Sequence, residues 1–190
     1  MELPDIKVER KTGKEKFEFN NTKLGFELSE FWSWNQSDLI ENRTRGILAE
    51  FIVKKALGIE DDNRIEWDDY DLITKEGIKI EIKSGAYIQT WKQKKYSNIS
   101  FSISKTTGSK ENPKFNGTHQ RWSDFYIFCL LDCKNQKNIN SMKLEQWTFF
   151  VLKTEVLNEK VGSQKSIGIN SLMKLNPIKA KYNELKKIIK

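Results

Sequence analysis

Cysteine, histidine and proline are scarce in this 190-residue chain, which holds two, one and three of them respectively. Cys129 and Cys133 sit in and beside an apolar run. They read as buried reduced thiols, not as a disulfide framework. No Cys-x-x-Cys pair or Cys/His cluster occurs, which argues against a zinc site. The single histidine, His119, lies in a polar segment and is expected at the surface. No apolar run approaches the roughly 20 residues of a membrane span, and the opening MELPDIKVER has no apolar leader core. The expectation is therefore a cytoplasmic protein with no membrane partner. P-loop and zinc-finger patterns are absent, and Asp61–Asp71 lacks the glycine of an EF-hand loop. With no internal repeat and no linker, residues 1–190 read as one domain: a peripheral extension (1–34), a catalytic core (37–104) and a basic C-terminal helix (178–190).

The 37% hydrophobic and 12% aromatic content is enough for a core without cross-links. The net charge of +7 is unevenly spread. Residues 58–81 carry nine acids and three bases, whereas 84–121 carry seven bases and one acid, Glu111. Residues 174–190 are basic as well. A small acidic focus among basic surfaces suits a metal site acting on a polyanion.

Residues 15–28 alternate around Asn20-Asn21, which predicts a hairpin. The cluster Phe31-Trp32-Ser33-Trp34 is expected to pack. A long helix follows, capped by Asn35 or Ser37 and ended by Gly58, with Ile40, Ile47, Leu48, Phe51 and Ile52 as its apolar stripe. Asp69–Thr74 and Ile78–Ser84 flank Lys75-Glu76-Gly77, a hairpin signal. Residues 98–104 and 146–152 read as strands, and DFYIFCLL (124–131) as a central strand buried on both faces. The C-terminal helix places Ile178, Tyr182, Leu185 and Ile189 on one face. This order of elements predicts an α/β sandwich.

The triplet (D/E)-x-K recurs in a lysine-rich chain, at Asp5-Ile6-Lys7, Glu81-Ile82-Lys83, Asp132-Cys133-Lys134 and Glu184-Leu185-Lys186. Geometry selects among them. A hairpin centred on Glu76 sets Asp71 opposite Glu81, with Cβ atoms roughly 4.5–5.5 Å apart. Two carboxylates at that spacing share a metal ion or repel each other. Lys83 lies two residues on and projects from the same face, while Leu72, Ile80 and Ile82 face a core. Asp132 fails the test: its upstream acid, Asp124, lies about 26 Å away along one strand. Asp5 precedes every partner strand, and Glu184 sits in a surface helix. Glu50, at the edge of the long helix's apolar stripe, is the candidate third acid, and Gly46 one turn earlier would allow close approach to a sheet.

Glu50 on a helix, Asp71 in a hairpin and Glu81-Ile82-Lys83 on the next strand resemble the PD-(D/E)xK nuclease superfamily over residues 37–104. The resemblance implies a restriction-endonuclease-like fold, a mixed central sheet flanked by helices. It also implies cleavage of DNA, less often RNA, with Mg²⁺, for which Mn²⁺ commonly substitutes. By similarity Asp71, Glu81 and the Ile82 carbonyl ligate the metal, Lys83 orients or activates water, and Glu50 supports them. Tyr70 stands where the family often has proline, and Gln89 and Gln93 follow the lysine as a glutamine does in some branches. Mg²⁺ prefers oxygen ligands and keeps several waters, so two carboxylates and a carbonyl suffice. A lysine near that metal and partly buried can have its own pKa lowered, which makes it a candidate proton acceptor.

Phosphate contacts are expected from Arg43, Arg45, Lys92, Lys94, Lys95, Lys105, Lys110, Lys114 and Arg121. Tyr87, Trp91 and Tyr96 interleave with the first lysine cluster as stacking candidates, with Trp91 better suited to a core. The expected function is metal-dependent endonucleolytic cleavage, with double-stranded DNA as partner, in restriction, anti-phage defence or repair. Cutting both strands calls for a homodimer, with 178–190 as one candidate interface. The alternatives are a non-catalytic DNA-binding protein of the same fold and an RNA nuclease.

Overall fold

A computed structural model describes residues 3, 6, 8–60, 64, 69–108 and 117–189. They divide into two compact units, Met1–Asp38 with Asp61–Ile65, and Leu39–Glu60 with Glu66–Lys190.

In the first unit β1 (Lys16–Phe19) and β2 (Thr22–Glu27) form the expected antiparallel hairpin. Asn20 and Asn21 turn it with φ of 49° and 61°, a left-handed pair that asparagine tolerates. The following helix α1 (Leu28–Gln36) buries none of its residues. Its aromatic cluster is therefore displayed, contrary to the expectation of packing, and Trp34 is 82% exposed. A nine-residue helix and one hairpin offer too little surface to enclose three large rings.

The second unit is built on a five-stranded mixed sheet flanked by helices. In spatial order its strands are β3 (Leu72–Ile73), β4 (Lys79–Ala86), β6 (Phe125–Leu131), β7 (Trp147–Lys153) and β9 (Ile178–Ala180). β4 and β6 run parallel, and every other neighbour is antiparallel. A separate pair joins β5 (Ser100–Ser102) to β8 (Ser166–Gly168). The continuous apolar run of β6 is explained by this position: one face meets the core of Ile80, Ile82 and Phe149, the other that of Phe101, Phe150 and Leu157. The first face is covered by α2 (Asn42–Leu57) and α5 (Leu185–Ile188), the second by α3 (Thr154–Val161) and α4 (Ile169–Met173).

Four expectations need correction. The long helix starts at Asn42, not near Ser37, because the Glu41 carboxylate caps it by accepting from the N–H groups of Arg43 and Thr44 at 2.9 and 3.0 Å. Its C-terminus is as expected, with Gly58 at φ 72°. Its buried stripe runs through Arg45, Ala49, Ile52, Val53 and Leu57, leaving Phe51 53% exposed. A Cβ on Gly46 would meet nothing within 4 Å, so that glycine answers no close approach. Residues 178–190 do not form one helix: Ile178 belongs to β9, and Leu185 and Ile189 are buried against α2. That burial removes the tail's apolar face as a subunit interface.

Cys129 is fully buried, whereas Cys133, just past the end of β6, is partly exposed. Burial, with the charges of Asp71 and Glu50, pushes the Cys129 thiol well above its ordinary pKa. A disulfide-exchange reagent is expected to titrate one thiol in the native protein and two after unfolding. Two reactive thiols in the native state would contradict the packing of β6.

Candidate active site

The β3–β4 hairpin sets the local geometry. Gly77, at φ 83°, takes the left-handed position of its turn, and Thr74 donates its N–H to the Ile78 carbonyl at 2.9 Å. The register pairs Leu72 with Ile80 and Ile73 with Lys79. The ladder ends there, and Asp71 continues it in a different way. Its N–H bonds the Ile80 carbonyl at 3.0 Å, and its carboxylate Oδ2 accepts the Ile82 N–H at 2.6 Å. The side chain thus replaces the next backbone rung. In an extended strand a residue's N–H and C=O point to the same edge, so the Ile82 carbonyl also faces the Asp71 edge of β4.

Glu81 and Lys83 alternate with the core residues Ile80 and Ile82 along β4 and so share the opposite face. Their side chains form an ion pair, 19% and 27% exposed respectively. Ser123, buried just before β6, donates its hydroxyl to Glu81 Oε2 at 3.4 Å. No sequence signal singled out Ser123; only the parallel register, which sets Ile80 beside Phe125, brings it to the site. Burial pushes the Glu81 carboxyl above the ordinary carboxylate range; Lys83 opposes the rise and Asp71 adds to it. Burial also works against the Lys83 charge, but Glu81, Asp71 and Glu50 outweigh it and hold the ammonium above the usual lysine value. Three acids acting on one base set the direction of that shift.

Glu50 lies on the half-buried edge of α2 and acts on Lys83 through its charge. Among the described residues no three acidic, histidine or cysteine side chains close on a point that could hold a metal ion. The candidate oxygen ligands are the carboxylates of Asp71 and Glu81, the first of which acts on the second through its charge, with the Ile82 carbonyl turned to the Asp71 edge. Hard oxygens of this kind, carrying negative charge in excess of Lys83, fit a small divalent cation.

The proposed phosphate contacts separate into surface and interior groups. Arg43, Lys92, Lys94 and Lys95 are exposed and Lys105 is half-buried, while Lys110 and Lys114 lie outside the described residues. Arg45 is buried on the core stripe of α2, where it donates to the Ile40 carbonyl at 2.7 Å, to Asn42 Oδ1 at 2.7 Å and to Gln89 Oε1 at 3.2 Å. Arg121 is also buried, bonded to the carbonyls of Ile103, Gly162 and Gln164 and to Asn158 Oδ1. Both residues are buried and their guanidinium groups are bonded to protein acceptors, which argues against both as phosphate contacts. Gln89 is buried likewise and holds the Ala86 carbonyl and Ser97, and Gln93 ties the same turn to the Gln89 N–H at 2.7 Å. These glutamines shape the 87–97 turn and do not face outward as substrate contacts. That turn displays Trp91 and Tyr96, each 52% exposed, so Trp91 is not a core residue. Tyr87 lies under Lys134 Nζ, 4.3 Å from the ring centre. His119 is exposed, as expected.

A family model described as bacteriophage T4 endonuclease IV matches residues 8–171, a span that contains all of α2, β3, β4 and β6. The chain belongs to the bacteriophage T4 endonuclease IV family. Membership makes it an endonuclease, a hydrolase whose substrate is a nucleic acid. No curated protein matches the chain. In this endonuclease no described helix is long and apolar enough to cross a membrane.

Proposed function

We propose that this endonuclease cleaves DNA by metal-dependent hydrolysis, in the manner of the PD-(D/E)xK superfamily, with Asp71, Glu81 and Lys83 at its centre. The observation that supports this most is the Glu81–Lys83 ion pair on β4, on the strand whose next rung is replaced by the Asp71 carboxylate bonded to the Ile82 N–H. Asp71, Glu81 and the Ile82 carbonyl would hold a Mg²⁺ or Mn²⁺ ion. A bound ion of this kind lowers the pKa of its water and offsets charge growing on the phosphate. Lys83 would orient or activate the attacking water. Ser123 fixes one oxygen of Glu81 and Lys83 pairs with the other; the carboxylate so oriented would serve as a ligand. Glu50 supports the charge of Lys83 from α2.

The exposed lysines 92, 94 and 95 and Arg43 supply phosphate contacts, and Trp91 and Tyr96 offer stacking faces beside them. Neutralising the three lysines together is expected to flatten the slope of log affinity against log salt by about 2–3, with no change in melting temperature. An unchanged slope would place the DNA elsewhere. A homodimer, so that each strand meets one centre, is tested by sedimentation with and without duplex.

The test of the reading is cleavage of supercoiled and linear plasmid, and of RNA of matching sequence, with Mg²⁺, Mn²⁺ or EDTA. Metal-dependent nicking or linearisation that vanishes in Lys83→Ala supports it. DNA binding without turnover under any metal would leave a non-catalytic binding protein.

A further inference from the structure

A second hollow lies beside the acid centre. It encloses about 700 Å³ at the end of the sheet where β6 begins and β7 runs into α3. That volume falls within the roughly 300–1,000 Å³ of small-molecule sites. Ser123 belongs to both places: it lines the hollow and donates to Glu81 Oε2 at 3.4 Å. The two sites therefore share a wall one residue thick.

The lining states what kind of group belongs inside. Val151, Val156, Leu175 and Ile178 supply apolar walls. The charges offer little to a phosphate. Arg121 also lines the hollow, but its donors are committed to Ile103, Asn158, Gly162 and Gln164. Lys153 shares the lining with two acids, Asp124 and Glu155. What remains is neutral hydrogen-bonding capacity. Asn158 accepts from Arg121 through Oδ1, which leaves its amide hydrogens as donors, and Asn176 adds a second amide. The Thr154 hydroxyl, on a residue 5% exposed at the start of α3, has no hydrogen-bond partner although it is buried. A buried hydroxyl without a partner is costly, but this oxygen shows no accessible surface to the hollow, so the groups left to a ligand are the two amides. Apolar walls with a few neutral donors and acceptors suit a flat heterocycle, held as unstacked bases are held elsewhere by edge hydrogen bonds and apolar faces.

We infer that this hollow receives a nucleobase, placed next to the scissile phosphate when it comes from the substrate strand. The inference rests on the proposed hydrolytic centre at Glu81 for its meaning, but its test does not depend on cleavage. In EDTA, the binding of the four deoxynucleoside 5′-monophosphates is compared with that of deoxyribose 5-phosphate, which has the same charge and no base. At least one nucleotide is expected to bind, and the base-free sugar phosphate at least tenfold more weakly. Asn176→Gly, which removes one amide and suits the left-handed backbone there (φ 52°), is expected to weaken nucleotide binding threefold to tenfold. Val156→Trp, which fills the hollow, is expected to abolish it. A strand carrying 2-aminopurine or pyrrolocytosine, bound to Lys83→Ala protein so that it stays intact, separates the sources. Fluorescence that rises on binding, and not in Val156→Trp, assigns the pocket to the strand; nucleotide binding without that rise assigns it to a free nucleotide. Equal binding of the base-free compound, or nucleotide binding indifferent to both pocket substitutions, would overturn the inference even if the endonuclease cleaves normally. Loss of cleavage in Lys83→Ala with nucleotide binding intact would show the two sites to be separable.

Discussion

Asp71→Asn is expected to reduce metal-dependent cleavage by about 10²–10⁴-fold, the scale of losing a group that acts at the reacting phosphate. It is also expected to leave the melting temperature no more than about 2 °C lower. The asymmetry follows from the two jobs of this side chain. As an acceptor it completes the edge of β4 through the Ile82 N–H, and an asparagine oxygen can do the same. As a charge it adds to the strain on Glu81, whose carboxyl burial and Asp71 together push upward. Replacing the charge and keeping the oxygen therefore removes function while easing the resting protein. Lys83→Met should match it in activity but not in stability. It keeps the aliphatic stem and leaves Glu81, Asp71 and Glu50 without the cation that all three act upon. A rise of activity in either variant, or a large fall in melting temperature for Asp71→Asn alone, would sink this account of the edge.

Arg121→Ala is expected to destabilise the endonuclease by roughly 3–5 kcal/mol, the scale of breaking a buried charged network. For a chain of this size that lowers the melting temperature by about 6–15 °C. The guanidinium closes the C-terminal end of α3 by donating to the carbonyls of Gly162 and Gln164, at 2.9 and 3.2 Å, and ties that end to Ile103 at 2.8 Å. A cation at a helix C-terminus also answers the helix dipole. Truncation removes the donor from four acceptors, of which the Ile103 carbonyl lies on a buried residue. DNA affinity of the folded fraction, and its salt slope, should stay as in the parent. A salt slope reduced by about 1 with stability intact would instead make Arg121 a phosphate contact, contrary to its burial.

The reading of residues alone reached the hairpin register because side chains alternate strictly along a strand and a three-residue loop ending in glycine leaves few pairings. It reached the centrality of β6 because seven apolar residues in succession have no solvent face to offer. The misplaced residues share a cause. Arg45 and Arg121 look like surface charge in sequence, since burial of arginine depends on carbonyls contributed from distant segments. Trp91 and the cluster at 31–34 look like core, since only the tertiary arrangement decides whether enough partner surface exists. Ser123 was invisible for a related reason: its link to Glu81 spans 42 residues and arises from a parallel pairing that leaves no local trace. Glu50 was found through helical periodicity, although the buried face proved to turn away from Phe51 and towards Arg45.

The parallel pairing of β4 with β6 has a kinetic consequence. The two strands are adjacent in space but separated by residues 87–124, and no turn of a few residues can join parallel strands. That intervening chain must be closed before the first rung forms, and its closure entropy is met before any contact rewards it. Domains dominated by such distant pairings fold on the millisecond-to-second scale. The β3–β4 hairpin can form early by itself, carrying Asp71, Glu81 and Lys83 together. The wall supplied by Ser123 must wait for β6. During synthesis the acids therefore emerge and associate well before the chain that shields them, and the newly made protein passes through an interval in which its two carboxylates are held together in water, open to whatever cation is most abundant.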